Sequence, residues 1–179
     1  GKIKEVKPKK LYIIQDGARE GNERDKELIQ EVRNILKIDW DCEVFTDYSE
    51  KNLGLKKRIS SGISWFFENE EKGIILEDDC VPEKSFFYFC EEMLEKYKND
   101  ERVGMIGGSN FQMGKIKNKH SYYFSKNQYI WGWATWRRVW QKYDINMESY
   151  KENRNELKNI FKGNLLRQIY WKYIFDRVI

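Results

Sequence analysis

Apolar residues along this chain fall into short runs and helical stripes that alternate. Residues 11–14 (LYII) form a compact β-rich run that stops at the turn signal Asp16-Gly17. Over residues 23–38, Leu28, Val32, Ile35 and Leu36 recur at helical spacing. Residues 42–46 alternate around Val44 and predict a second strand. Leu55, Ile59, Ile63, Phe66 and Phe67 make a second helical stripe, with Lys56, Lys57 and Arg58 at its amino end. Residues 73–76 (GIIL) lack polar alternation, which predicts a strand buried on both faces. A Phe-rich helix is predicted over 83–99 and a fourth strand over 103–107, breaking at Gly-Gly-Ser-Asn. Trp133, Trp136, Val139 and Trp140 recur at helix-like spacings, and 157–174 is an amphipathic helix. Residues 1–10 are a basic connector. Trp136, Trp140, Phe86 and Phe89 are expected to serve the core.

Strands that alternate with helices predict an α/β fold, a mostly parallel sheet flanked by helices. No internal repeat or second domain is visible, so 1–179 reads as one domain. Ligands of such sheets bind beyond the carboxyl ends of the strands. Asp16, the acidic triplet Glu77, Asp78 and Asp79, and the pair Ser109 and Asn110 all follow strands in this way.

Composition narrows the class. The chain is 40% hydrophobic and 16% aromatic, as a globular protein is. Lys and Arg total 33 against 29 Asp and Glu, a net charge of +4. That is too small a basic excess to argue for a nucleic-acid binder. Cys42, Cys80 and Cys90 form no CxxC pair and read as reduced thiols of a cytoplasmic protein. No apolar run is long enough to span a membrane, and no signal peptide is read. Peripheral membrane contact stays open.

The chemistry centres on GIILEDDCVP, where an apolar strand runs into three adjacent carboxylates. Three neighbouring negative charges call for something positive against them. A hard divalent cation prefers oxygen ligands and is often held by one or two carboxylates plus substrate phosphates. The competing reading is an acidic turn balanced by Lys, Arg or a helix amino terminus. His120 has no second His at ligand spacing and reads as an exposed loop residue.

The stretch GIILEDDCVPEKSFFYFCEEMLEKYKNDERV resembles nucleotide-sugar glycosyltransferases of the GT-A fold, a Rossmann-like architecture. It looks closest to the N-acetylglucosaminyltransferase I-like group and its bacterial relatives, which carry a Glu-Asp-Asp form of the DxD motif. LYIIQDGAR, NLGLKKRISSGISWFF and YIWGWATWRRVW resemble further family segments in the family order, over about residues 9–144. The resemblance implies a metal-dependent glycosyltransferase that moves a sugar from a nucleotide diphosphate, with uridine as the expected nucleoside, to a glycan or other hydroxyl acceptor. Asp79 would hold manganese or magnesium, and Glu77 and Asp78 would meet the ribose and donor sugar. Asp16 would accept from uracil N3, and Asn52 and Lys57 would lie near the nucleotide. Asn110, Trp131 and Trp133 would form the acceptor side. Lys56, Lys57 and Arg58 read equally well as a solvated helix face. The chain is expected to lack the family's first strand and C-terminal part. No base carboxylate is assigned after Asp144, since Asp176 reads as surface. The alternatives are a sugar nucleotidyltransferase, whose glycine-rich basic loop DGAREGNER does not reproduce, and a non-catalytic glycan or nucleic-acid binding module.

Overall fold

The structure, a computed structural model, describes residues 1–111, 119–126, 128–146 and 148. The helix read at 157–174 and Asp176 lie outside the described residues. The chain divides into two compact units, Gly1–Lys142 and Tyr143–Ile179. All elements below belong to the first.

Within the basic start, Lys2–Val6 forms a short helix, α1. Strand β1 (Lys10–Gln15) and strand β2 (Glu43–Tyr48) pair in parallel, from Lys10 opposite Glu43 to Gln15 opposite Tyr48. Parallel neighbours need a crossover, and helix α2 (Glu23–Ile35) supplies it. Asn22 caps α2 by accepting from the Asp25 amide at 3.2 Å. Arg19 clamps the Asp25 carboxylate through Nε and a terminal nitrogen, at 2.6 and 2.7 Å. That pairing holds the Asp25 carboxyl down at about 2.

Helix α3 (Gly54–Asn69) leads into strand β3 (Lys72–Ile75). Its glycine at 62 is where Ile14 sits, since a Cβ there would lie 2.6 Å from Ile14 Cγ2. The Phe66 ring meets Tyr12 at 4.9 Å and fills the space beside Gly73. Lys10 Nζ and the Tyr12 hydroxyl donate to Glu70 at the far end of the helix, at 2.7 and 2.8 Å. Thus β1 and β3 both start near the carboxyl end of α3. The other end of β1 lies at the amino end of α3, where Asp16 binds the Leu53 and Gly54 amides.

Helix α4 (Lys84–Lys96), strand β4 (Ile106–Gly107), strand β5 (Trp133–Trp136) and one turn of helix, α5 (Arg137–Trp140), complete the unit. The class is α/β, as the alternation predicts, but the ladders are mixed. Beside the two-stranded parallel sheet stands a three-stranded antiparallel one in the order β3-β5-β4. Two local misreadings explain the difference. The spacing of Trp133, Trp136, Val139 and Trp140 suggests one helix, yet the chain runs as a strand through Trp136 and coils only afterwards. A strand followed by a helical turn satisfies the same spacing. The strand expected at 103–107 keeps only two ladder residues. Upstream, the Val103 amide turns back to the Asp100 carbonyl and the Gly104 carbonyl accepts from Thr135 Oγ1.

The core gathers between α4 and the antiparallel sheet: Cys90, Met93, Leu94, Ile106, Ala134 and Trp136. Phe86 and Phe89 pack against it half-buried, and half-buried Trp140 stacks on Phe67. On α2 the apolar stripe stays open, with Leu28, Val32, Ile35 and Leu36 all exposed.

Two protons, on buried Cys90 and on half-buried Tyr12 outside this core, set the alkaline limit of the folded unit. Burial pushes the Cys90 thiol up to about 12. Burial, reinforced by the bond to Glu70, raises the Tyr12 phenol to about 12. Both groups hold their proton more tightly folded than unfolded. Their stabilisation is therefore complete below their ordinary values of 9.0 and 10.0 and is lost as pH rises toward about 12. Urea midpoints measured at pH 7, 9 and 11 are expected to fall between the last two, and Tyr12→Phe is expected to flatten that fall. An unchanged midpoint at pH 11 would contradict the burial of Cys90 and the Tyr12–Glu70 bond.

Candidate functional site

Asp16 follows the end of β1, and its carboxylate is already engaged. Oδ1 accepts from the amides of Gly17 at 2.9 Å and Leu53 at 2.8 Å; Oδ2 accepts from the Gly54 amide at 3.0 Å. Leu53 and Gly54 open α3, so Asp16 supplies from a distant strand the side-chain cap that Leu53 cannot. Gly54 sits at φ +74°, a left-handed conformation that disfavours a side chain. Asn52 closes the same loop by donating from Nδ2 to the Gly17 carbonyl at 2.9 Å. Asp16 and Asn52 are thus brought together as a clamp between the 16–17 turn and the start of α3.

The three basic residues of α3 part company. Lys56 and Lys57 lie on the exposed face, while Arg58 is buried. Arg58 donates to the Asp47 carbonyl at 2.6 Å and pairs with Asp47 Oδ2 at 2.7 Å. Its Nε is buried with no acceptor among the described residues. Arg58 therefore ties α3 to the end of β2, a role that the spacing of the stripe does not reveal.

The acidic triplet follows the end of β3. The Cys80 amide donates to the Glu77 carbonyl at 3.1 Å and closes a turn. Glu77 is half-buried, and Asp78 and Asp79 are exposed. Asp79 Oδ1 accepts a weak bond from Cys80 Sγ at 3.8 Å. Among the described residues none of the three carboxylates forms an ion pair. Nor does the triplet cap α4, whose cap residue is Glu83 and carries no side-chain cap bond. Both structural explanations for the charges, a basic partner and a helix terminus, are therefore absent among the described residues. Those residues also contain no ready-made group of three His, Cys, Asp or Glu side chains for a metal. A cation here would rest on one or two carboxylates with its remaining ligands from elsewhere, which is how magnesium is commonly bound.

β5 carries the other side. Ile75 pairs with Trp133, and one step further Leu76 approaches Gly132, whose Cβ position lies 3.5 Å from Leu76 Cδ2. The 77–79 turn is thus adjacent in register to the segment bearing Trp131. Gly132 lies at φ +75°, so the chain departs from strand alternation between the two tryptophans. Trp133 meets Trp140 at 6.5 Å. Trp131 instead joins Phe111 and Tyr129, with centroids 5.4 and 6.3 Å away. Trp131 and Trp133 therefore enter two different ring clusters. Ser109 Oγ donates to the Trp131 carbonyl at 3.1 Å, and Asn110 beside it is exposed. Phe111 carries no signal of its own in the sequence, while Tyr129 opens the YIWGWATWRRVW segment with no individual role assigned to it. His120 is exposed, as expected for a loop residue.

Comparison with protein-family models, with curated proteins and with solved structures finds no match for this chain. Among the described residues no helix is long and apolar enough to cross a membrane.

Proposed function

We propose that this chain is a nucleotide-sugar glycosyltransferase domain of the GT-A type. The observation that carries the reading is the triplet Glu77, Asp78 and Asp79, three adjacent carboxylates at the end of a strand with no cationic partner among the described residues. Such a cluster is tolerated where a ligand supplies the positive charge. The direction of β3 supports it further. β1 and β3 both start at the carboxyl end of α3, and on this reading their carboxyl ends point the same way, toward Asp16 and the amino end of α3. Parallel strands with their carboxyl ends at one edge are where α/β sheets bind nucleotides. On this reading the two sheets belong to one mostly parallel sheet. β1 and β3 both lie on Phe66, and β5 is its antiparallel member.

Asp79 is the residue proposed to hold a divalent cation, manganese or magnesium, and Glu77 and Asp78 would meet ribose and sugar hydroxyls. When bound, that cation would supply charge stabilisation to the leaving diphosphate. The chain's own contribution is to fix the nucleotide loop through the Asp16 and Asn52 clamp and to present hydroxyl acceptors beside Trp131. Lys57, exposed on α3, faces solvent in the free chain and is assigned to the outer edge of the diphosphate site. The transfer itself needs an acceptor hydroxyl deprotonated as the glycosidic bond breaks.

The test is a thermal-shift series with uridine diphosphate, with and without manganese, on the wild type and Asp79→Ala. The wild type is expected to be stabilised only when both are present. Asp79→Ala is expected to lose that gain while the free protein melts within a few tenths of a kcal/mol of the wild type, because the residue is exposed and repelled by its neighbours. A mutant that keeps the metal-dependent shift would remove Asp79 from the metal site. A wild type indifferent to every nucleotide diphosphate would sink the reading.

A further inference from the structure

The chain between β4 and β5 is fastened at a point far from the acidic turn. Residues 119–126 form neither helix nor strand, and within them Tyr122 is half-buried while the other side chains are exposed. The Tyr122 ring lies 6.1 Å from Phe89 and packs against the core that joins α4 to the antiparallel sheet. Its hydroxyl oxygen sits between two groups at the carboxyl end of α4. Lys96 Nζ donates to it at 2.8 Å, and the Tyr97 hydroxyl is 2.7 Å away. The Lys96 ammonium also lies over both rings, 5.3 Å from the Tyr122 centroid and 5.5 Å from that of Tyr97. The acidic turn precedes the other end of α4, so roughly 18 Å of helix separates this knot from the proposed nucleotide site.

We propose that residues 119–126 are a strap fastened to the carboxyl end of α4 at Tyr122, and that the fastening tightens as the solution turns alkaline. This is independent of the glycosyltransferase reading. An oxygen flanked by two donors is best satisfied as an anion, since a neutral hydroxyl must also place its own proton. The bond from Lys96, and after it that from Tyr97, holds the Tyr122 phenol below its ordinary value of 10.0. The titratable groups that face this phenol among the described residues are Lys96, Tyr97 and Glu92, and the Glu92 carboxylate opposes the other two. Its own segment adds Lys119, His120 and Lys126, all exposed. A group whose value folding lowers contributes stability that is present above the ordinary value and is lost as pH falls through the lowered one. The strap therefore gains hold as pH rises toward 10.0. It keeps that hold until Lys96 gives up its proton, which the bond to Tyr122 delays beyond the ordinary 10.5. The trend runs opposite to that of Tyr12 and Cys90, so it is read on the strap itself and not on global unfolding. A strap held by ring packing alone would show no such trend.

The experiment is limited trypsin digestion of the full chain at pH 7.0 and pH 9.5, followed by mass spectrometry. Cuts after Lys119 and Lys126 are scored against the cut after Lys37, an exposed lysine beyond α2. Tyr122→Phe keeps the ring and removes the hydroxyl, Lys96→Met removes the ammonium, and Tyr123→Phe alters the exposed neighbour. Relative cleavage of the wild-type strap is expected to slow about fivefold from the lower pH to the higher. At the higher pH, Tyr122→Phe and Lys96→Met should be cut about tenfold faster than the wild type, with the pH trend gone, while Tyr123→Phe behaves as the wild type. Ultraviolet titration of the same samples should show a phenol that ionises below 10.0 in the wild type and is missing from Tyr122→Phe. A strap cut no faster in Tyr122→Phe than in the wild type would overturn the fastening. Faster cutting in Tyr122→Phe, with no pH trend in the wild type, would reduce Tyr122 to a structural contact and overturn the tightening.

Discussion

Trp136→Ala is expected to destabilise the folded unit by about 3–5 kcal/mol, the usual cost of emptying a buried aromatic site. The ring is 4% exposed and sits in the cluster that joins α4 to the antiparallel sheet. Its indole nitrogen donates to the Leu94 carbonyl at 3.0 Å, and the Arg138 guanidinium lies 4.5 Å from its ring centroid. Removal opens a cavity, strands a buried carbonyl and takes the ring from under Arg138. Typical domains hold only about 5–15 kcal/mol in reserve, so the variant should be largely unfolded under mild denaturant. Trp131→Ala is the internal control: that ring is more than half exposed and should change stability by no more than about 0.5 kcal/mol. Urea midpoints of the two variants separate core from surface. Equal midpoints would mean that the two tryptophans have been assigned the wrong roles.

That contrast shows what the sequence makes legible. Local periodicity locates β1, β2 and β3 within a residue or two, because β-branched runs bounded by turn residues have few other uses. It places α3 and α4 through apolar residues recurring at helical spacing, and it predicts Trp136 in the core. It fails where a partner is distant in sequence. The antiparallel β5 is set by pairing with β3, some 60 residues earlier, which no local window contains. The stripe of α2 predicts burial, yet Ile35 is 77% exposed, because periodicity says which face is apolar and not what covers it. For the candidate site, the triplet and its strand end are readable. The commitment of Asp16 to α3, the inward turn of Arg58 toward Asp47 and the parting of Trp131 from Trp133 are tertiary facts. A left-handed glycine between two tryptophans is the one local hint, and glycine alone does not announce its φ.

Asp16→Ala is expected to cost about 2–3 kcal/mol, large for a half-buried residue outside the core. A lost cap costs about 0.5–2 kcal/mol, and each further amide left without its acceptor adds to it. Here three amides lose one carboxylate together, and the link between the end of β1 and the start of α3 goes with them. On the proposed function, the same geometry also fits Asp16 to ligand recognition. A carboxylate offers about four lone-pair positions, and three are occupied. The fourth is held in a fixed direction by the other three, which is what a selective contact with an N–H donor such as uracil N3 requires. Asp16→Asn separates the two duties. It keeps one carbonyl oxygen for the Gly17 and Leu53 amides and sets an NH2 group against the Gly54 amide. The fold should lose about 1 kcal/mol, while the preference for uridine over guanosine diphosphate should largely vanish. Weakening of both nucleotides by the same factor would show that Asp16 only shapes the loop. Selectivity retained at full strength in Asp16→Asn would move the recognition of the base to another residue.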